Sequence, residues 1–267
     1  MKKIGLIIGG VIAIAVIGAI AYTLWLTSDV EVSTSTPVAA TLVLPTTAPT
    51  TAAAPATATT ASDNTAAATA TIGTEPTTDA SQPAAAGAKI YRIDASQSSA
   101  SYQVRETFLQ DNKIVDAVGV TKAIAGDLLI DTATPANSQV GEIVVDISQL
   151  QSDSERRDNA IRREWLESSK YPNAVFKNAV ISNLPSDLKE GVEFKFTITG
   201  DMTIHDTTNP LTFEVTATLN GDTLTGKATT KFNMSSFNVD APDIGGMLKA
   251  EDEVLLTLDL VATAVAQ

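Results

Sequence analysis

The sequence predicts an all-β domain with one helix, built as an extended antiparallel eight-stranded β-barrel and preceded by a transmembrane helix and a disordered linker. Three observations predict it. Long segments between residues 192 and 234 alternate apolar and polar side chains with period two. One stretch, residues 152–172, breaks that rhythm with helical spacing. The N-terminal third holds an uncharged apolar run and then a tract made mostly of Thr, Ala and Pro.

The chain falls into residues 1–28, 29–88 and 89–267. In the first zone, residues 4–26 carry no charge over 23 positions. A helix of that length is about 34 Å long, enough for a hydrocarbon core of about 30 Å. Lys2 and Lys3 precede the run, and Asp29 and Glu31 follow it. The positive-inside bias then puts the N-terminus in the cytoplasm and the rest outside, a single-pass arrangement in the cell membrane. Tyr22 and Trp25 suit the outer interface. A cleaved signal peptide is the competing reading, because Ala19-Ile20-Ala21 resembles a cleavage site. Both readings export the domain. A lipoprotein is excluded because the chain has no cysteine.

The second zone lacks the large apolar residues needed to offset chain entropy, so it is expected to be disordered. About sixty such residues reach about 40–45 Å on average. A spacer and an O-glycosylated stalk are both compatible with the composition.

The third zone is expected to carry the function. Residues 192–204 place Val192, Phe194, Phe196, Ile198, Gly200, Met202 and Ile204 on one face. Leu211, Phe213, Val215, Ala217 and Leu219 repeat the pattern, as do Leu224, Gly226, Ala228, Phe232 and Met234. Further strands are expected near residues 90–94, 100–105, 122–131, 140–147, 174–181 and 253–265, with residues 106–120 as a long connection. The helix has Ser152 or Asp153 as its N-cap and ends at Tyr171-Pro172. Its apolar side, with Ile161 and Trp165, is free to cover one barrel opening.

Composition excludes whole classes of chemistry. Without cysteine there is no disulfide, thiolate catalysis or zinc–thiolate site. One histidine, His205, allows no two-histidine metal site within the chain, and no cofactor is expected. His205 sits between two strands and is read as a turn residue. The net charge is −13, and residues 89–267 carry 16 basic against 26 acidic residues, so no nucleic-acid partner is expected. The carboxylate pairs Asp127 with Asp131 and Asp240 with Asp243 have the chemistry of an acid–base couple, but strand-end and turn carboxylates on an acidic protein are read as solvated. The protein is expected not to be an enzyme.

Strongly alternating antiparallel strands in one domain pack as two sheets or curl into a barrel. An eight-stranded barrel fills itself or holds one small ligand. The expected lining is Phe194, Phe196, Ile198, Phe213, Val215, Leu224 and Phe232, with Leu128 and Ile130 opposite. Small residues interleave with them, namely Ala125, Gly126, Gly141, Ala179, Gly200, Ala217, Gly226 and Ala228, which favours a cavity over a solid core. The expected partner is an apolar lipid, with the membrane contacted through the N-terminal helix. A stalked surface module with a filled barrel is the alternative. The oligomeric state is left open.

Three stretches, "YRIDASQSSASYQV", "VDISQLQSDSERRDNAIRREWLESSKYPNAVF" and "FTITGDMTIHDTTNPLTFEV", resemble the YceI-like family over residues 89–267. That resemblance implies a lipocalin-like extended barrel that binds polyisoprenoids or similar amphiphiles. The chain departs from the family at Gln97, where a histidine is usual, and at Asp206, where a glycine is usual. It departs again at Met234-Ser235-Ser236-Phe237-Asn238, where an Arg and an Asp are missing.

Overall fold

A computed structural model describes residues 32–43 and 87–266. The strands are β1 (Ala88–Ile93), β2 (Ser99–Phe108), β3 (Lys113–Thr121), β4 (Ile124–Asp131), β5 (Gln139–Asp146), β6 (Asn173–Ser182), β7 (Glu193–Ile204), β8 (Thr207–Asn220), β9 (Thr223–Asn233), β10 (Asp243–Ile244) and β11 (Leu248–Ala264). All pairings are antiparallel, in the order β1-β4-β5-β6-β7-β8-β9-β11-β2-β3, with β1 also pairing β11. The long β11 takes β2 along Leu248–Asp259 and β1 along Ala262–Ala264 on the same edge. β1 and β2 therefore act as one bent wall strand, and β3 and β4 as its bent neighbour. Counted this way, eight strands close the barrel.

The bend between β1 and β2 is made by side-chain hydrogen bonds. The Asp94 carboxylate accepts from Ser96 N at 2.9 Å and from Ser96 Oγ at 2.6 Å. Ser98 then uses its hydroxyl on both groups of Val261, donating to the carbonyl at 3.2 Å and accepting from the amide at 3.0 Å. A buried ladder partner is thus supplied where the backbone turns away.

Residues 106–120, expected as a connection, form instead the end of β2 and most of β3 as a hairpin. Its tip turns at Asn112, which adopts a positive φ of 52°. The outer face of β3 carries exposed Ile114, Val118 and Val120, so both faces read as apolar and the period-two signal is hidden.

The helix is shorter than the sequence suggests. α1 spans Glu155–Ala160 and continues as a π-helical turn, Ile161–Trp165. Ser154, not Ser152 or Asp153, is the N-cap, accepting from Arg157 N at 3.3 Å. Ser152 is used otherwise, bonding the buried Asp158 through its amide and, at 2.6 Å, its hydroxyl. The segment before the helix closes the free edge of β3, with Gln151 and Val120 exchanging bonds at 2.8 and 2.9 Å. Arg157 grips Glu106 on β2 through Nε at 3.3 Å and Nη2 at 3.2 Å. Burial opposes the Arg157 charge, but the bonds to Glu106 and Asp153 outweigh it and hold its pKa above the ordinary value.

The opposite end is a floor. Residues 183–192 fold over it and bury Leu188, held by Gly191 N donating to Leu219 O at 2.8 Å. Gly191 has a φ of 73°, which favours glycine.

Residues 32–43 belong to the stretch expected as linker, yet they lie along the outer wall as a strap. Ser33 N donates to Ser148 Oγ at 3.2 Å, and Ser35 O accepts from Gln149 Nε2 at 3.2 Å. Further on, Ala40 N donates to Glu142 Oε1 at 3.2 Å and Leu42 N to Asp127 Oδ2 at 3.3 Å. The strap therefore runs antiparallel to β5. Pro37 is buried midway, at the level of the outward and buried Val144. Gly141 makes room for Leu42, whose Cγ would lie 3.0 Å from a Cβ there. The expected membrane helix at residues 4–26 lies outside the described residues, as does most of the expected linker. Among the described residues no helix is long and apolar enough to cross a membrane.

Two outcomes are expected from this packing. Arg157→Met leaves the Glu106 carboxylate buried without its partner and should lower stability by about 3 kcal/mol, with Glu106→Gln in the same chain recovering much of it. Urea denaturation of the two variants measures this. Gly200→Val sets a Cβ 2.6 Å from the Phe176 ring and 2.8 Å from Lys177 O, and should cost about 1–3 kcal/mol in the same assay.

Candidate ligand-binding site

The inward residues of the wall enclose a cavity of about 240 Å³. It is long for its volume. Along β11 the lining runs from Ala250 to Ala262; a bulge between Ala250 and Val254 sets four residues against two of β2, which leaves about ten strand positions, about 33 Å before tilt. The shape is a slender channel rather than a round chamber. Small residues, Ala117, Ala217, Gly226, Ala228 and Ala250 among them, interrupt the large ones along its lining.

Of the residues the sequence singles out, Leu128, Phe196, Ile198, Phe213, Val215, Leu224 and Phe232 line the channel. Ile130 and Phe194 do not. Both are buried among Leu188 and Leu219 near the floor, with Phe194 stacked on Phe196 at 5.8 Å. They face inward as the alternation requires, but they belong to the packed core that Leu188 of residues 183–192 joins. The small residues divide in the same way. Ala217, Gly226 and Ala228 line the channel. The space at Gly126 is taken by Ile143, and that at Gly200 by the Phe176 ring. Gly141 faces the strap, outside the barrel.

Other lining residues escape a strand-by-strand reading. Ile161, Trp165 and Leu166 come from the helical segment, which the 3.6-residue spacing does signal as apolar on one side. Trp165 and Leu166 are half-buried, as is Pro242 on the approach to β10. Phe237 and Val239, from the turn after β9, also contribute. Nothing in the local pattern of that turn points inward.

Two charged residues border the channel: Lys227, whose ammonium pairs with Asp259 in solvent, and Glu106 near the helix-bearing end, which is 6% exposed. Tyr102 lines the wall nearby, and burial raises its hydroxyl above the ordinary tyrosine pKa. Arg157 is the counter-charge of Glu106, with Asp153 and Asp158 adding negative charge around Tyr102. The sequence marks Arg157 only as part of an arginine-rich helix face, and the partner is three strands of sequence away.

His205 is indeed in a turn, with φ of 59° between β7 and β8. Its ring packs on Tyr171 at 4.1 Å, and its Nδ1 lies 3.2 Å from Asp206, whose pKa is lowered by that hydrogen bond. It does not line the channel. Asp127 pairs with Arg92 at 2.8 Å on the outer wall, and Asp131 caps the turn after β4 by accepting from Thr134 N at 2.8 Å. Asp240 and Asp243 are exposed. Neither pair faces the cavity. Gln97, one of the departures from the family pattern, bonds the Asp94 turn at 2.6 Å and stays outside as well.

Comparison with known proteins agrees with this architecture. A UPF0312 protein of Vibrio parahaemolyticus is 32% identical over 125 residues, covering 46% of this chain and 60% of that relative. The chain thus spans less than two thirds of that relative's length. Protein YceI of Escherichia coli O157:H7 is 26% identical over 144 residues, 51% of this chain and 70% of the relative. Among solved structures, BcnA of Burkholderia cenocepacia superposes with a TM-score of 0.52 at 24% identity, over 64% of this chain and 99% of that one. A polyisoprenoid binding domain from Saccharophagus degradans gives 0.49 at 13% identity, over 66% and 98%. The YceI-like domain model matches residues 91–262, all of the barrel wall but the first residues of β1 and the last of β11, and the chain belongs to the YceI-like family.

Proposed function

We propose that the protein is an extracytoplasmic, membrane-tethered binding protein that holds an isoprenoid or another long apolar lipid inside its barrel, as a carrier or a store. The observation that carries this reading is the channel. A barrel built only to present a surface has no reason to keep a slender apolar void along most of its length, since each unfilled methyl-sized space costs about 1 kcal/mol. A chain-like guest fills such a void and contributes about 0.8 kcal/mol for each methylene removed from water, before its ordering costs. The cavity therefore favours a carrier over a stalked module with a filled barrel. A catalytic role has less support, because the carboxylate pairs and the histidine lie outside the channel.

Glu106 sharpens the ligand class. Its buried carboxylate is matched by Arg157, which also pairs the exposed Asp153, and the same helical segment buries both Asp158 and Arg162, so this end offers no excess of positive charge for an anionic head group. The hydroxyl of Tyr102 and the Glu106–Arg157 pair suit a head that donates or accepts hydrogen bonds without charge.

Organic extraction of the purified full chain, followed by mass spectrometry, is expected to release a lipid with a long apolar chain. Phe196→Asp should abolish that recovery, and repeated recovery of empty wild-type protein would end the reading. Head-group choice can be followed through Trp165 in a Trp25→Phe background. Undecaprenol should shift its emission at concentrations where undecaprenyl diphosphate does not, and equal responses would argue against a neutral head.

A further inference from the structure

We infer that the strap turns the helix-bearing end of the barrel toward the bilayer, and that the apolar tips at that end are a lipid-contacting surface. The inference rests on the proposed N-terminal anchor, and it changes what the linker does. Residues 44–86 follow the strap and lead to β1, so their length does not set the distance between barrel and membrane. Only residues 27–32 separate the apolar run from Ser33.

Two lengths agree. Seven peptide steps join Leu26 to Ser33, about 24 Å when extended. Ser33 is held at Ser148, close to Gln151, which bonds Val120, the partner of Ser101. From Ser101 to Phe108 is seven strand positions, about 23 Å. The maximal reach of the chain before Ser33 thus about equals the rise from Ser33 to the tip of the β2–β3 hairpin. The strap runs from Ser33 toward Asp127, away from that tip, so its membrane side is the helix-bearing side.

That tip carries the second observation. Leu109 is 47% exposed, Ile114 61%, Ile244 37% and Met247 49%. Ile114 pairs Thr107, two residues before Leu109, and Leu109, Met247 and Ile244 are tied together, because Leu109 N donates to Met247 O at 2.9 Å and Met247 N to Ile244 O at 2.8 Å. Gly245 and Gly246, both at positive φ, form the turn between them, with nothing packed against either. Four large apolar side chains at the far end of two hairpins, within the maximal reach of the apolar run, fit the interfacial region of a bilayer. Glu106, two residues before the tip strand ends, puts the polar pole of the channel on the same side.

The chain has no cysteine, so single labels can be placed. Full-length protein carrying Leu109→Cys, Met247→Cys or Asp187→Cys is labelled with a fluorophore and reconstituted into vesicles of phosphatidylethanolamine and phosphatidylglycerol containing brominated lipid. Labels at 109 and 247 should be quenched, and the label at 187, on the floor loop, should not. Pro37→Asp with Leu42→Asp should detach the strap and remove the quenching at 109 while the protein remains in the membrane. Equal quenching at 109 and 187, none at 109, or full quenching at 109 after strap detachment overturns the inference when the chain resists carbonate extraction. Disulfide-linked dimers through the Leu109→Cys site, without lipid quenching, assign the patch to a second copy and overturn it too. A chain that carbonate extracts overturns the anchor itself.

Discussion

Closure of the backbone ladder is the constraint on which everything else in this barrel depends. A curled sheet leaves two edges, and each unpaired amide or carbonyl at an edge is a liability. Here β11 resolves most of the problem by pairing β9 on one side and both β2 and β1 on the other. The bends between β1 and β2 and between β3 and β4 follow from that division, because two wall strands must share one partner in succession. Ser98 supplies the bonds lost at the first bend. The channel exists only because the wall is closed around it.

One edge remains, that of β3, and its treatment produces the polar pole. The segment leading into α1 covers it with the Val120–Gln151 bridge, and Arg157 fastens the start of the helix to Glu106. A pair that secures the helix therefore also sets the charge at one end of the channel. The same anchoring brings Trp165 and Leu166 over the wall. Structural and ligand-facing roles are not separable at this corner.

The inward face of the barrel was legible in the sequence because solvent outside and grease inside impose alternation, as at Phe196, Ile198, Phe213 and Val215. What alternation cannot express is depth. Ile130 and Phe194 obey the same rule as their neighbours, but whether space remains beside them depends on Leu188, delivered by a loop of no regular pattern. The glycines show the same limit. Gly226 borders the channel while Gly200 is filled by Phe176, a difference decided across strands. β3 was hidden because its outer face is apolar. The strap was hidden because the short apolar run of Pro37, Val38, Leu42, Val43 and Leu44 has no periodic continuation in a tract of Thr, Ala and Pro, and the room for Leu42 is made by Gly141, about a hundred positions later. The Glu106–Arg157 pair is equally non-local.

Leu188, Phe194, Leu219 and Ile130 are buried together at the floor end, which favours entry to the channel from the helix-bearing end. A long guest cannot pass broadside through a wall of hydrogen-bonded strands, so it must thread lengthwise, tail first, and withdraw by the reverse path. Each segment pulled out exposes grease before any contact is regained, and the barrier to escape grows with chain length. For the lipid guest proposed above, occupancy would then be governed by slow reptation more than by equilibrium affinity, and release would wait on an acceptor for the emerging end.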